Sequence, residues 1–172
     1  MSKIIILAAV AMLAAWPAAA HVSLENRQAA VGASYKAVFT VPHGCAGSAT
    51  TKIRVQIPEG VIAVKPMPKA GWSVEAISGK YAADYSYHGK KFSEGVKEVV
   101  WSGGKLADGH YDEFVMSTYL TGNLKPNSML YFPVVQECEQ GVSRWIDIPA
   151  QGAGHSHDDK SPAPGIKLMP KP

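Results

Sequence analysis

Apolar and polar positions alternate with a period of two in several short segments after the first twenty residues. Ser34–Val41 reads Ser-Tyr-Lys-Ala-Val-Phe-Thr-Val, and Thr50–Ile57 places Ile, Val and Ile between Lys, Arg and Gln. This alternation is typical of half-buried strands. Further segments predicted as strands are Trp72–Ser78, Lys97–Trp101, Tyr111–Tyr119, Ser128–Glu137 and Val142–Ile148. No window keeps a helical apolar pattern without Gly or Pro, so we predict an all-β protein, a single antiparallel β-sandwich.

The first twenty residues have a different pattern and predict a cleaved secretory signal. Lys3 precedes an apolar run over Ile4–Ala15, and Ala18-Ala19-Ala20 places small residues where signal peptidase cleaves. The alternative is a transmembrane anchor, but this run is shorter than the ~20 residues needed to span a bilayer. We therefore expect an exported protein, periplasmic or extracellular, with no membrane anchor in the mature chain.

Composition changes again near residue 150, so three segments are expected: the signal over 1–20, the sandwich over 21–150 and a tail over 151–172. The tail has four Pro, three Gly and no aromatic residue, which predicts an extended, solvated segment. His155, His157 and Asp158 lie close together within it and offer nitrogen and oxygen donors for a weak metal site. A solvated linker is the alternative interpretation.

Net charge and cysteine content limit the possible partners of the protein and the possible roles of its two cysteines. A net charge of +3 on 172 residues, without a basic stripe, argues against a nucleic-acid partner. The two cysteines, Cys45 and Cys138, are expected to form one disulfide in an oxidising compartment. A thiolate metal site is the alternative, because His43 lies two positions from Cys45, but the chain has no Cys-x-x-Cys motif.

Cleavage after Ala20 would make His21 the new N-terminal residue. Its α-amine and imidazole Nδ1 could then chelate one metal ion in a six-membered ring. Both groups have reference pKa values near or below 8, so they lose protons readily to a metal at neutral pH. Nitrogen and oxygen donors suit Cu(II), which heads the divalent affinity series. The alternative is that a His merely follows the cleavage site by chance.

Glu113 is a candidate third donor, because it enters the predicted strand that continues with Phe114. On the residues alone a solvated edge acid is the favoured interpretation of Glu113, and Asp108 and Asp112 compete with it as ligands. Trp145 is interpretable as a core residue or as a shield beside a metal, since its indole N–H can donate but cannot ligate.

Over residues 20–150 the sequence resembles the YcnI-like family of exported bacterial copper-binding domains. The matching motifs, in order, are Ala20-His21-Val22, Pro42 with Cys45, Thr50-Thr51-Lys52, Ile57-Pro58, Pro66, Gly71-Trp72, Trp101-Ser102-Gly103-Gly104, Tyr111-Asp112-Glu113-Phe114, Phe132-Pro133-Val134-Val135-Gln136-Glu137-Cys138 and Gly141 to Trp145. Their order and spacing carry the resemblance, since no single motif is highly specific.

The resemblance implies an immunoglobulin-like sandwich that holds one Cu(II) in a mono-histidine brace. It assigns the amine and imidazole to His21, the carboxylate to Glu113 and a packing role to Trp145. It also implies a binding protein in copper homeostasis, a chaperone or sequestering protein that works with other copper-trafficking proteins of the cell envelope, rather than an enzyme.

Two other functions remain open. A copper oxygenase would need a second His in the copper plane, for which His43, His88 and His110 are the body candidates. An interaction module without metal would use the sandwich only to present loops.

Overall fold

The computed structural model describes residues 21–149 and 161–171. The twelve strands are β1 Ser23–Leu24, β2 Gln28–Ala30, β3 Ala33–Val41, β4 Thr50–Gln56, β5 Val61–Pro66, β6 Ser73–Tyr87, β7 Lys90–Leu106, β8 Asp112–Leu120, β9 Met129–Tyr131, β10 Val134–Cys138, β11 Val142–Trp145 and β12 Gly165–Met169. The described part of the chain contains no helix that could cross a membrane. The predicted all-β class is confirmed.

Two antiparallel sheets form the sandwich. One has the order β1-β3-β8-β5, and the other has the order β11-β10-β4-β7-β6. Alternate residues face inward, so Ile53 and Val55 of β4 and Phe114 and Met116 of β8 are completely buried between the sheets. Trp101 of β7 is buried with them and packs edge-on against Phe114. The apolar positions of the period-two alternation in the sequence are therefore the residues on the inner faces of these strands.

Several strands differ from their predicted bounds. β6 and β7 run from Ser73 to Leu106 as one long hairpin, which turns at His88-Gly89. The predicted strand Ser128–Glu137 is two strands, β9 and β10, separated by Phe132 and Pro133. Proline cannot donate a ladder hydrogen bond, so the chain leaves one sheet and enters another at this point.

The C-terminal segment corrects the expectation of a solvated tail over 151–172. Gly165–Met169 forms β12, which lies parallel to β2 and antiparallel to β9 in a third, three-stranded sheet. Ile166 and Leu168 are buried, while Lys167 between them is exposed. Three alternating residues are too short a pattern to stand out in a Pro-rich segment, but their burial makes this strand part of the folded domain. Residues 151–160 of the expected tail lie outside the described residues, as does the expected signal over 1–20.

The predicted disulfide is confirmed. Cys45, which follows β3, is bonded to Cys138 at the end of β10, with a Cα–Cα distance of 6.0 Å. The bond ties the loop after β3 to the opposite sheet, at the end of the sandwich where β8 also begins. His21 and the candidate acids lie at this end.

Candidate metal-binding site

His21 precedes the edge strand of one sheet and contacts the edge strand of the other. Val22 and Leu24 are buried, so β1 is held in the core and fixes the backbone next to His21. The imidazole, which is partly exposed, packs edge-on against the indole of Trp145 on β11, with ring centroids 5.4 Å apart and an interplanar angle of 80°. The structure therefore brings together two of the residues that the resemblance implicated.

A buried glutamine fixes the position of this indole. The Trp145 indole N–H donates a hydrogen bond of 3.0 Å to Oε1 of Gln136. The Gln136 amide nitrogen in turn donates to the carbonyl oxygen of His43 and to Oγ1 of Thr50, each at 2.7 Å. Gln136 is 1% exposed, so these three bonds satisfy its amide group in a nearly water-free position. Because the indole N–H is engaged here, Trp145 offers only its ring to His21.

Sequence reasoning did not single out Gln136, although the strand carried a signal. In Val134–Cys138, Gln136 shares its face with the fully buried Val134. A polar residue on the inward face of a strand must find partners there. The alternation of this strand therefore indicates a buried hydrogen-bonding group, and the indole N–H of Trp145 is a donor that could serve it.

The candidate acids differ in the contacts that their carboxylates make. Oδ1 of Asp108 accepts the backbone N–H of Gly44 at 3.1 Å. Oδ1 of Asp112 lies 2.6 Å from Nζ of Lys69 and also accepts the backbone N–H of Glu113 at 2.8 Å. Within residues 21–149 and 161–171, the carboxylate of Glu113 has no hydrogen bond or ion pair. Glu113 is therefore the acid of the three whose oxygens are not already engaged by the fold.

Strand register relates Glu113 to His21. Glu113 pairs with Thr40 of β3, which pairs with Ser23 of β1, so these residues form one row across three strands. Phe114 and Leu24 face the core, which places Glu113 and Ser23 on the outer face. The row spans two interstrand spacings, about 10 Å. In the part of the chain that the structure describes, no ion pair joins His21 to Glu113, and no group of three or more His, Cys, Asp or Glu residues is close enough to hold a metal.

The other histidines occupy separate places. His88 lies at the tip of the β6–β7 hairpin with a positive φ of 49°, and its ring contacts that of Tyr87 at a tilt of 57°. His110 lines a groove whose other lining residues are Lys105, Leu106, Ala107, Gly109, Tyr111 and Asp112, and this groove is not the one lined by His21. His43 contributes its backbone carbonyl to Gln136, while its Nδ1 lies 2.6 Å from the carbonyl oxygen of Gly44. Among the described residues, His88 and His110 make no ring contact with His21, whose imidazole packs against Trp145. His155, His157 and Asp158 lie outside the described residues.

A groove of about 250 Å³ runs beside His21. Its walls are the start of β1 on one side and the C-terminal segment Pro162–Gly165 on the other, with Arg27, Met129 and Tyr131 completing the lining. The segment that was expected to be a solvated tail therefore forms one wall of the surface next to the candidate ligand.

Comparison with known proteins agrees with this architecture. Residues 21–168 match the family described as a domain of unknown function, DUF1775. The chain belongs to this family. The match begins at His21 and ends within β12, so the family region includes the C-terminal strand.

A solved structure supports the immunoglobulin-like class. An uncharacterized protein from Nocardia farcinica, described as having an immunoglobulin-like fold, is similar to this chain with a TM-score of 0.65 and 25% sequence identity. The similarity covers 87% of this chain and 98% of that one. The predicted immunoglobulin-like sandwich is thus confirmed. No curated protein matches the chain.

Proposed function

We propose that this DUF1775 protein is an exported copper-binding protein of the YcnI-like kind, which holds one Cu(II) after residues 1–20 are removed. The ligands are the α-amine and imidazole of His21 and the carboxylate of Glu113. The protein sequesters Cu(II) or passes it to other copper-trafficking proteins of the cell envelope, and it is not an enzyme. The observation that carries this proposal is the packing of a partly exposed His21 against an indole that is itself hydrogen-bonded in place.

The donor set suits the cupric ion. Two nitrogens on one residue bind without bringing distant parts of the chain together, and a carboxylate adds an oxygen. Cu(II) favours such mixed nitrogen and oxygen ligands in a tetragonal arrangement. The chain's own contribution is to hold the His21 backbone next to a buried strand and to place an apolar ring on one side of the imidazole.

Glu113 is preferred to its neighbours because of their existing contacts. Using Asp112 would break its ion pair with Lys69, and using Asp108 would release the backbone N–H of Gly44. Metal binding by Glu113 would break neither of these contacts. Because about two interstrand spacings separate its row position from Ser23, copper binding is expected to draw the Glu113 side chain along the outer face toward His21.

Copper titration of protein that begins at His21 tests the proposal directly. We expect one tight Cu(II) per chain in calorimetry against a competing chelator, with an electron paramagnetic resonance spectrum of mixed nitrogen and oxygen ligation. One Gly added ahead of His21 removes the free amine from this residue and should abolish the tight site. His21→Ala should do the same. Unchanged affinity in the extended protein would refute the brace.

The third donor has its own test. Glu113→Gln should weaken Cu(II) binding by at least about tenfold, the lower end of the cost of losing even an indirect metal partner. Glu75→Gln is the matched control, because Glu75 is also an exposed strand acid, and it should bind as the unaltered protein does. His155→Ala with His157→Ala should remove only additional weak binding. Loss of the tight site in this double variant would move the site to residues 155–157.

A further inference from the structure

The groove beside His21 has the features of a preformed binding site. Its C-terminal wall is held by backbone hydrogen bonds, from Phe132 N–H to the Pro164 carbonyl at 2.8 Å and from Ala163 N–H to the Asp147 carbonyl at 2.9 Å. Pro162 and Pro164 restrict the backbone of the same wall further. A wall that is rigid before a ligand arrives lowers the entropic cost of binding.

Gly165 leaves room for two side chains that line the groove. A Cβ at this position would lie 2.8 Å from the Tyr131 ring and 3.2 Å from the Met129 methyl group. Both side chains therefore lie directly against the Gly165 backbone. A larger residue would displace one of them, and both line the groove.

The charge of the groove selects for anions. Arg27 is exposed and lines the groove, and none of the lining residues is Asp or Glu. Within the described ranges, Arg27 forms no ion pair, whereas Arg54 is paired with Glu98 at 2.9 Å. A guanidinium group presents two parallel N–H donors that match a carboxylate. His21 also lines the groove, and its α-amine after processing would add a second cationic group.

We propose that this groove binds small carboxylate molecules, with Arg27 as the residue that recognises the carboxylate group. Its volume lies below the range of about 300–1,000 Å³ that is usual for sites of drug-sized ligands, so the occupant is small. Met129, Tyr131 and the two prolines provide apolar contact for its carbon skeleton. The proposal does not depend on copper and stands on the metal-free protein.

A titration of the metal-free protein with malonate, monitored by the chemical shifts of backbone amides, tests whether the groove binds small carboxylates. We expect shifts confined to the residues that line the groove, Ser23, Leu24, Arg27 and Gly165 among them. Arg27→Gln should weaken malonate binding by about tenfold or more, because it removes a charge-assisted pair. Arg144→Gln is the matched control, since Arg144 is exposed, lies outside the groove and has no ion pair within the described residues; it should leave the affinity unchanged.

Two further measurements keep the proposal falsifiable. Gly165→Ala should also weaken malonate binding, because its Cβ would displace Tyr131 or Met129 from their positions in the groove lining. A short peptide with a free C-terminal carboxylate distinguishes the second source of this chemistry, and tighter binding of the peptide than of malonate would overturn the small-molecule assignment. Equal malonate affinity in the Arg27 variant, or shifts that map elsewhere, would overturn the site itself. Because copper is absent throughout, these outcomes are independent of the copper-binding test.

Discussion

Replacement of Gln136 by Leu should destabilise the fold strongly, although the two side chains are similar in size. Gln136 makes three hydrogen bonds, to the indole N–H of Trp145, Oγ1 of Thr50 and the carbonyl of His43. The bonds to Trp145 and Thr50 are buried, and the bond to His43 is partly buried. In the Leu variant all three partners lose their bond to Gln136 where water cannot readily reach, and Thr50 Oγ1 keeps only its 3.7 Å contact with Cys138 Sγ.

The expected loss of unfolding free energy follows from the number of polar groups that lose their hydrogen bond to Gln136. A buried polar group left without a partner costs about 1–3 kcal/mol, so two buried groups and one partly buried group give a loss of about 3–5 kcal/mol. Small domains have total unfolding free energies of about 5–15 kcal/mol, so this loss is a large fraction. Gln140→Leu is the control, because Gln140 is exposed two residues beyond Cys138. A surface substitution of this kind changes stability by about 0.5 kcal/mol or less.

A double-mutant cycle with Trp145→Phe isolates the bond between the two side chains. For this bond, Gln136→Leu leaves the indole N–H of Trp145 unsatisfied and Trp145→Phe leaves Oε1 of Gln136 unsatisfied, whereas the double variant removes both of these groups. The double variant should therefore lose about 1–3 kcal/mol less than the sum of the singles. Guanidinium unfolding followed by far-UV circular dichroism measures all four proteins without depending on Trp145 emission. Additive losses, within about 0.5 kcal/mol, would show that the indole–amide bond does not contribute as argued.

Other predictions address parts of the fold away from the candidate site. Leu168→Ala should cost about 2–5 kcal/mol of unfolding free energy in denaturant titration, whereas Lys167→Ala should cost about 0.5 kcal/mol or less; equal effects would contradict the burial of β12. Replacing Cys45 and Cys138 together by Ala should lower stability by about 4–5 kcal/mol, since the bond closes a loop with a sequence separation of 93; an unchanged denaturation midpoint would oppose this account. Glu59→Gln should flatten the dependence of stability on acid pH, and a variant that keeps the acid dependence of the unaltered protein would exclude Glu59 as a source of it.

The Glu59 prediction rests on the direction of its pKa. Partial burial by itself raises the pKa of this carboxyl, but hydrogen bonds from Lys97, the Ala82 N–H and the Tyr85 hydroxyl outweigh that effect, and the pKa lies below its usual value of 4.5. The unfolded chain therefore binds the proton more tightly than the folded protein. The stabilisation is present above 4.5 and is lost as the pH falls through the lower folded pKa.

The alternation of apolar and polar residues is sufficient to predict the bounds of a strand when one of its faces is buried. Ala33–Val41 and Thr50–Gln56 agree with their predicted bounds within one residue, because each has one face buried against the opposite sheet. Residues on β6 between Glu75 and Ser78 are all exposed, so that strand has no buried face in its middle and its alternation is weak. Its length is set by pairing with β7, which sequence periodicity does not report.

In the candidate site, too, some residues were identified from the sequence, whereas the contacts that hold them were not. His21 and Trp145 were identified from the chain, and their contact requires only that two edge strands meet. The hydrogen bonds of Gln136 and the ion pair of Asp112 with Lys69 join residues from separate strands and loops. No local pattern indicates which residue across the sandwich will supply such a partner.

The sequence by itself determined the β class and the pairing of its two cysteines, because side-chain alternation and a single possible bridge are properties of the chain. Only the tertiary structure decided that Ile166 and Leu168 belong to the core and that Arg27 lines a groove beside His21. These arrangements depend on contacts between segments more than a hundred residues apart, where burial and hydrogen bonding are set by the assembled sheets. A short apolar pair in a Pro-rich segment becomes a strand only when two others leave a space for it.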